Sequence, residues 1–170
     1  MDFKSFIRDV PNFPKDGVVF KDITLLLQNP NALYETANSL LKLLDGHKID
    51  KVVGMESRGF IFGPMLAERL NAGFVPVRKP GKLPSTTISE TFNLEYGTDT
   101  LEIHLDAIKK GDKVLIHDDV LATGGTANAA CKLVEKLGGE IIQCNFLIEL
   151  TFLNGASKIK DYPVKSLLKY

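Results

Sequence analysis

Residues 114–126, with the sequence VLIHDDVLATGGT, constrain the fold of this chain more than any other segment. The apolar start predicts a buried strand, and the spacing of Ala127, Ala130 and Val134 predicts a helix directly after the glycines. Backbone N–H groups in a glycine loop and the positive end of a following helix both favour an anion. The segment therefore predicts a phosphate-binding loop between a strand and a helix. Its candidate residues are Ala122, Thr123, Gly124, Gly125 and Thr126.

Two adjacent carboxylates, Asp118 and Asp119, precede this loop. They would repel a phosphate, whereas sugar hydroxyls can donate hydrogen bonds to them. A ribose 5-phosphate satisfies both requirements, with its phosphate in the loop and its 2- and 3-hydroxyls on the aspartates. The alternative is a purely structural segment, in which the aspartates cap the helix and the glycines form a tight turn.

Strand and helix patterns alternate along the chain with short connections, which favours a mostly parallel sheet flanked by helices, an α/β fold. Ligands of such sheets bind at the carboxyl ends of the strands. We predict strands at 49–55, 74–78, 98–105, 113–117 and 140–150, and helices from Asn29 to Gly46, at 60–70 and at 126–137.

The length of 170 residues predicts a single domain over 1–170. Residues 1–24 combine prolines with aromatic residues and are expected to form an irregular hood over the body. Residues 79–97 show no sustained period. A long segment without regular structure is typical of an active-site lid, so we expect a mobile lid there.

Charge and hydropathy exclude some classes of partner. Lys plus Arg and Asp plus Glu number 21 each, so the chain lacks the net positive charge typical of nucleic-acid binding. We find neither an apolar run of membrane-spanning length nor the continuous apolar core of a secretion signal, and we expect a cytoplasmic protein. Cys131 and Cys144 lie in apolar stretches and are expected to be buried.

The acidic pair, the two apolar residues after it and the Thr-Gly loop resemble the phosphoribosyl pyrophosphate signature of the type I phosphoribosyltransferases. The loop lacks the Gly-Lys-Ser/Thr of a Walker loop and differs from the Gly-x-Gly-x-x-Gly dinucleotide turn. The resemblance implies a Rossmann-like fold with a small hood and a flexible catalytic lid.

Other segments are similar to the adenine-specific branch of that family. The 6-oxopurine branch typically has an aspartate where this chain has Ala122. The resemblance assigns one side of an adenine pocket to Val19, Phe20 and Lys21, in a segment similar to the family's hood. It assigns the opposite side to Leu150.

The resemblance also implies the pyrophosphate contacts. Glu56-Ser57-Arg58-Gly59-Phe60 is similar to the family's pyrophosphate loop, in which Arg58 would bind phosphate oxygens and support catalysis. Further cations lie at the start of the expected lid, and these are Arg78, Lys79 and Lys82.

The end of the expected lid, Leu94-Glu95-Tyr96-Gly97, resembles the catalytic tip of the same branch. Glu95 is implied as the catalytic acid or base, with Tyr96 as its positioning neighbour. The implied reaction transfers the 5-phosphoribosyl group from phosphoribosyl pyrophosphate to N9 of adenine, with Mg2+ bound mainly through the substrate. The resemblance alone also implies a homodimer.

Two alternatives keep the fold. A regulator that senses phosphoribosyl pyrophosphate would normally carry a DNA-binding segment or a basic face. An enzyme for guanine, xanthine or orotate is disfavoured by Ala122 and by the hood segment.

Overall fold

The computed structural model describes residues 1–94 and 97–170. The chain divides into two compact units, Met1–Ser39 and Leu40–Tyr170. The assignment of residues 1–170 to one domain, with a hood at 1–24 and a mobile lid at 79–97, remains a prediction.

The first unit contains more regular structure than we expect from its sequence. After a short 3-10 helix, strands β1 (Arg8–Pro11) and β2 (Val19–Asp22) pair antiparallel as a hairpin. The hairpin loop is closed by a hydrogen bond from the Gly17 N–H to Asn12 Oδ1 (3.0 Å), with both residues at positive φ. The expected irregular arm is therefore wrong for residues 8–11 and 19–22.

Helix α1 (Thr24–Gln28) is short and was not expected, whereas α2 (Pro30–Lys42) confirms the helix predicted from Asn29. Asn29 Oδ1 accepts a hydrogen bond from the Ala32 N–H (2.9 Å), which caps α2 at its start. Pro30 occupies the first helical position, where its missing N–H costs no intrahelical bond.

The second unit is built on a five-stranded sheet in which every pair of neighbours is parallel, and this confirms the predicted fold class. Its elements are β3 (Lys51–Met55), α3 (Gly59–Leu70), β4 (Gly73–Val77), β7 (Lys113–Leu121), α4 (Gly125–Lys136), β8 (Glu140–Glu149) and β9 (Val164–Lys169). The strand order is β4-β3-β7-β8-β9. Helix α3 packs on β3 and β7, and helix α4 packs on β7 and β8.

The segment expected to lack regular structure contains a strand. Strand β5 (Thr87–Asn93) pairs antiparallel with β6 (Thr98–His104), so the expectation is wrong for residues 87–93. Polar residues hide the alternation in β5, yet Phe92 is buried and Ile88 packs against the core. The backbone bonds to β6 stabilise a strand that side-chain hydropathy alone does not reveal.

The sequence patterns predict no helix or strand after residue 150. After β8 the chain forms 3-10 helices at Thr151–Leu153 and Gly155–Ile159 and then adds β9 to the sheet. Cys131 and Cys144 are buried and free, with sulfur atoms 3.7 Å apart, which confirms their expected burial. Over the described ranges, every helix is too short or too polar to cross a bilayer.

Candidate active site

Strand β7 carries the acidic pair at its carboxyl end. The strand continues to Leu121, four residues beyond the predicted end, so Asp118 and Asp119 belong to the sheet rather than to the loop. Asp118 pairs with Phe146 of β8, and Asp119 lies between the paired residues Asp118 and Val120. The sheet therefore fixes both residues just before the turn into α4.

The turn from β7 into α4 depends on glycine. Gly124 has φ +80°, and a Cβ atom there would lie 2.3 Å from the carbonyl oxygen of Gly155. The loop backbone is therefore in direct contact with the segment after β8, and only glycine fits at Gly124. Gly155 has no role in the sequence-based prediction, since Asn154-Gly155 indicates no more than a local turn.

Two cavities meet at Asp118. The first, of about 80 Å³, is lined by Asp118, residues 120–127 and Phe146, and so includes the whole predicted phosphate loop. The second, of about 370 Å³, is lined by residues 56–58, the acidic pair, Val120, Ala122 and Thr126. The structure thus brings the predicted phosphate loop, acidic pair and pyrophosphate loop together.

Helix α3 positions Arg58 beside the acidic pair. A Cβ atom at Gly59 would lie 3.0 Å from the His117 carbonyl oxygen and 3.2 Å from Asp118 Oδ1, so the start of α3 sits close against the end of β7. Arg58 Nε lies 3.2 Å from Asp119 Oδ2. A partly exposed guanidinium therefore faces a carboxylate whose residue is 1% exposed.

The acidic pair is costly to ionise. Burial, followed by the charge of Asp119, raises the pKa of Asp118 well above its usual range. Burial also raises the pKa of Asp119, although the Arg58 guanidinium acts in the opposite direction. Asp118 Oδ1 accepts a hydrogen bond from the Asp119 N–H at 2.9 Å. Such a pair is suited to accepting hydrogen bonds from a ligand, which would offset the cost of burial.

Glu56 lies in the predicted pyrophosphate loop, where the sequence assigns no role to its side chain. Its carboxylate accepts hydrogen bonds from Lys82 Nζ (2.5 Å), the Lys79 N–H (3.0 Å) and both Nε and Nη2 of Arg78 (3.3 Å each). Burial raises the pKa of Glu56, but these donors outweigh it and lower the pKa to about 2. Glu56 is therefore ionised at neutral pH.

The predicted pyrophosphate cations all face carboxylates in this structure. Arg78 and Lys82 pair with Glu56, and Lys79 pairs with Asp99 at the start of β6. Arg78 also lies over the Phe60 ring, with its guanidinium carbon 5.9 Å from the ring centroid.

The predicted adenine-binding residues lie on separate units. Val19, Phe20 and Lys21 form part of β2, where Phe20 packs edge-to-face on Phe13 and Lys21 pairs with Asp9. Leu150 follows β8, and its N–H donates to the Leu121 carbonyl oxygen at 2.9 Å. The predicted catalytic pair, Glu95 and Tyr96, lies outside the described residues.

His117 directly precedes the acidic pair and is fully buried. Its Nδ1 lies 2.8 Å from Asn145 Oδ1, and Asn145 Nδ2 donates to the Leu40 carbonyl oxygen at 3.4 Å. Burial lowers the pKa of His117 to about 4 despite the hydrogen bond to Asn145. His117 is therefore a neutral part of the core that supports β7.

The residues at this site fit a magnesium ion held mainly by its substrate. Nowhere in residues 1–94 or 97–170 do three or more His, Cys, Asp or Glu side chains form a group able to hold a metal ion. The second cavity does carry the carboxylates of Glu56, Asp118 and Asp119. Mg2+ prefers oxygen ligands and retains several waters, so carboxylates beside a phosphate-binding space match its chemistry.

Comparison with known proteins places the chain in a family. Residues 22–169 match the phosphoribosyl transferase domain. The adenine phosphoribosyltransferase of Flavobacterium johnsoniae is 66% identical over 170 residues, which is 100% of both chains.

Solved structures agree with that match. A crystal structure of adenine phosphoribosyltransferase from Thermoanaerobacter pseudethanolicus has a TM-score of 0.97 at 53% identity, covering 99% of this chain and 98% of that one. The Saccharomyces cerevisiae enzyme, complexed with an imino-altritol bisphosphate and adenine, has a TM-score of 0.93 at 44% identity, covering 98% and 96%.

The fold and the matched domain define a phosphoribosyltransferase. Within that class, the chain belongs to the adenine phosphoribosyltransferase family, and it is an enzyme.

Proposed function

We propose that this chain transfers the 5-phosphoribosyl group of phosphoribosyl pyrophosphate to N9 of adenine, forming AMP and pyrophosphate in purine salvage. In this reaction the bond from the anomeric carbon to the pyrophosphate oxygen breaks, a bond to N9 forms, and the N9 proton leaves. The observation that carries the proposal is the pair of cavities that meet at Asp118, one lined by the glycine loop and one by Arg58 and the acidic pair.

The 5-phosphate of the substrate is assigned to the smaller cavity. Loop N–H groups and the first turn of α4 provide donors and positive partial charge for a phosphate. Thr123 and Thr126 add hydroxyl donors, and both line that cavity. The residues proposed to bind the phosphate are Ala122, Thr123, Gly124, Gly125 and Thr126.

The ribose is assigned to Asp118 and Asp119. Both line the larger cavity, and Asp118 lines both. The 2- and 3-hydroxyls would donate hydrogen bonds to these carboxylates. They would replace the water molecules that leave the cavity when the sugar binds. This arrangement holds the anomeric carbon between the phosphate loop and Arg58.

The pyrophosphate is assigned to the cations near Glu56, and these are Arg58, Arg78, Lys79 and Lys82. An ammonium has three N–H donors, so Lys82 retains two beyond the one it gives to Glu56. Arg58 supports catalysis because its positive charge favours the charge that develops on the departing pyrophosphate. Mg2+, when bound through substrate oxygens, would neutralise part of that charge as a Lewis acid.

Adenine recognition is assigned to Val19, Phe20 and Lys21 on one side and Leu150 on the other. An apolar slot that reads the base through backbone donors and acceptors rejects bases that leave those groups unpaired. Ala122 supports this choice, since it leaves no acidic side chain at that loop position for a 6-oxopurine.

Catalysis at the base is assigned to Glu95, positioned by Tyr96. Glu95 would accept the N9 proton as the sugar acquires oxocarbenium character. A positioned acid or base typically contributes about 10²–10⁴-fold to rate. Closure of residues 79–97 would exclude water and suppress hydrolysis of the activated sugar.

We further propose a cytoplasmic homodimer that needs Mg2+ and has only small-molecule substrates. The equal numbers of acidic and basic residues support the absence of a nucleic-acid partner.

The test is a panel of bases. Protein, Mg2+ and phosphoribosyl pyrophosphate are mixed separately with adenine, hypoxanthine, guanine and orotate, and nucleotide formation is followed by chromatography. We expect AMP from adenine and no nucleotide from the other three. Failure to form AMP, or equal turnover of another base, would refute the proposal.

A further inference from the structure

The carboxylate of Glu56 accepts hydrogen bonds from several residues of the segment that follows β4. The donors are the Arg78 side chain, the backbone N–H of the adjacent Lys79 and the side chain of Lys82. The Glu56 side chain is 11% exposed and lines the 370 Å³ cavity. One mostly buried carboxylate thus connects the predicted pyrophosphate loop to three of the proposed pyrophosphate cations.

Arg78 is also held on its other sides. Its Nη1 donates to the Lys82 carbonyl oxygen at 3.4 Å, and its backbone N–H and carbonyl oxygen bond Glu102 of β6 at 3.0 and 2.7 Å. All three guanidinium nitrogens therefore have partners within the protein. The contacts of Arg78 with Glu56 and with the Lys82 carbonyl oxygen hold the backbone of residues 78–82 in place.

Lys82 differs from Arg78 because, among residues 1–94 and 97–170, a single side-chain acceptor contacts its ammonium. That acceptor is Glu56 Oε1, at 2.5 Å, and nearly half of the Lys82 side chain is exposed. A flexible lysine without this contact would spread over many rotamers, and ordering it on substrate binding would cost entropy. With the contact, its remaining donors are kept beside the cavity.

We propose that Glu56 is a positioning residue for the transferase reaction, holding residues 78–82 so that Lys82 is ready to bind the pyrophosphate group. The inference rests on the proposed function. It makes a prediction opposite to that of simple charge repulsion, since removing a carboxylate from an anion-binding cavity would by itself strengthen anion binding.

The test is Glu56→Gln, which keeps the size of the side chain and removes its charge. We expect the KM for phosphoribosyl pyrophosphate and the Kd for pyrophosphate to rise by about tenfold, equivalent to about 1.4 kcal/mol. The KM for adenine should stay unchanged. An unchanged or lower KM for phosphoribosyl pyrophosphate would overturn the proposal.

The matched control is Asp50→Asn at the opposite end of β3. Asp50 also accepts from a backbone N–H, that of Lys113 at 2.9 Å, and from a lysine, Lys48 at 3.1 Å, but it lines neither cavity. This variant should leave both KM values unchanged. A rise equal to that of Glu56→Gln would reveal a general effect of losing a carboxylate and would refute the specific role.

A second measurement separates positioning from general damage. Lys82→Met should raise the KM for phosphoribosyl pyrophosphate in the wild type but add little in the Glu56→Gln background, because the two residues would act as one unit. Fully additive effects would contradict the proposal. If Glu56→Gln does not fold, Glu56→Asp, which keeps the charge on a shorter side chain, should raise the same KM by a smaller factor.

The proposed function and this inference fail in different ways. A wild-type protein that forms no AMP refutes the function. A wild-type protein that forms AMP, with an unchanged KM in Glu56→Gln, refutes only the role of Glu56.

Discussion

Gly155 lies so close to Ala122 that a Cβ atom on Gly155 would be 2.2 Å from the Ala122 carbonyl oxygen. The same atom would be 2.9 Å from the backbone nitrogen of Gly124. Both contacts are with backbone, which cannot move aside as a flexible side chain can. The segment after β8 therefore buttresses the proposed phosphate loop from outside.

Gly155→Ala should displace that loop and weaken phosphate binding. We expect the KM for phosphoribosyl pyrophosphate and the Kd for ribose 5-phosphate to rise by about tenfold or more, since small displacements of positioned groups carry large costs. The KM for adenine should change less. Steady-state kinetics and calorimetric titration with ribose 5-phosphate provide the two measurements.

Gly139→Ala is the matched control for Gly155→Ala. A Cβ atom on Gly139 would also be crowded, at 2.8 Å from Val134 Cγ1 and 3.0 Å from Ile108 Cγ2, but Gly139 lies before β8 and lines neither cavity. It should lower the Tm without altering substrate binding. Equal effects of both variants on KM would contradict the buttress.

Asp118→Asn should stabilise the protein at neutral pH while weakening sugar binding. Burial and the neighbouring Asp119 charge raise the pKa of Asp118, so keeping it ionised in the folded state costs stability above its unfolded pKa of about 3.8. We expect a higher Tm at pH 7, and each 1 kcal/mol gained corresponds to about 2–4 °C for a domain of this size. The KM for phosphoribosyl pyrophosphate should rise.

The gain in Tm should vanish as pH falls below the unfolded pKa, because the wild-type carboxyl is then neutral in both states. Thermal melts at pH 7 and below pH 4 measure this difference, and Asp161→Asn, at an exposed position, is the control. A lower Tm for Asp118→Asn at pH 7 would show that the carboxylate stabilises the fold.

Much of the fold could be predicted from sequence because its signals are local. The apolar runs of β3, β7 and β8 and the periodicity of α3 and α4 lie within short windows, and the structure confirms them. Strand β5 has no clear sequence signal because its pairing with β6, rather than its own hydropathy, makes it a strand. The same distinction between local and distant signals decides which residues of the site can be predicted from sequence.

The glycine loop and the acidic pair could be found because they are contiguous. The partners of Glu56 could not, since they lie 22 to 26 positions away and meet it only after β3 and β4 align. Likewise, Gly155 reaches the Ala122–Gly124 turn only because β8 runs beside β7. The residue types of Glu56 and Gly155 show that one can accept hydrogen bonds and that the other allows close approach of backbone. They do not show which groups these residues contact.

His117 should make the fold sensitive to acid between pH 6.5 and 4. Burial lowers its pKa from 6.5 to about 4, so the unfolded chain binds the proton first and stability falls as pH falls through that window. The loss should approach about 3 kcal/mol at the acid end. Denaturant unfolding at a series of pH values measures it.

His117→Asn removes the titration while keeping a group that can bond Asn145. The part of the pH dependence due to His117 is the difference between wild type and this variant, and it should be largest between pH 6.5 and 4. His47→Asn, at an exposed position, is the control for the loss of a histidine. Identical slopes for wild type and His117→Asn would rule out His117 as the source.

Glu95→Gln should lower kcat far more than it changes either KM. The variant keeps the size of the side chain but cannot accept the N9 proton, and loss of a positioned acid or base typically costs about 10²–10⁴-fold in rate. The measurement is kcat for AMP formation at saturating adenine and phosphoribosyl pyrophosphate. Glu90→Gln on β5, at a neighbouring position in the sequence, is the control for the loss of a carboxylate. An unchanged kcat for Glu95→Gln would remove its proposed role. A rise in KM alone would instead indicate that Glu95 contributes to binding and not to proton transfer.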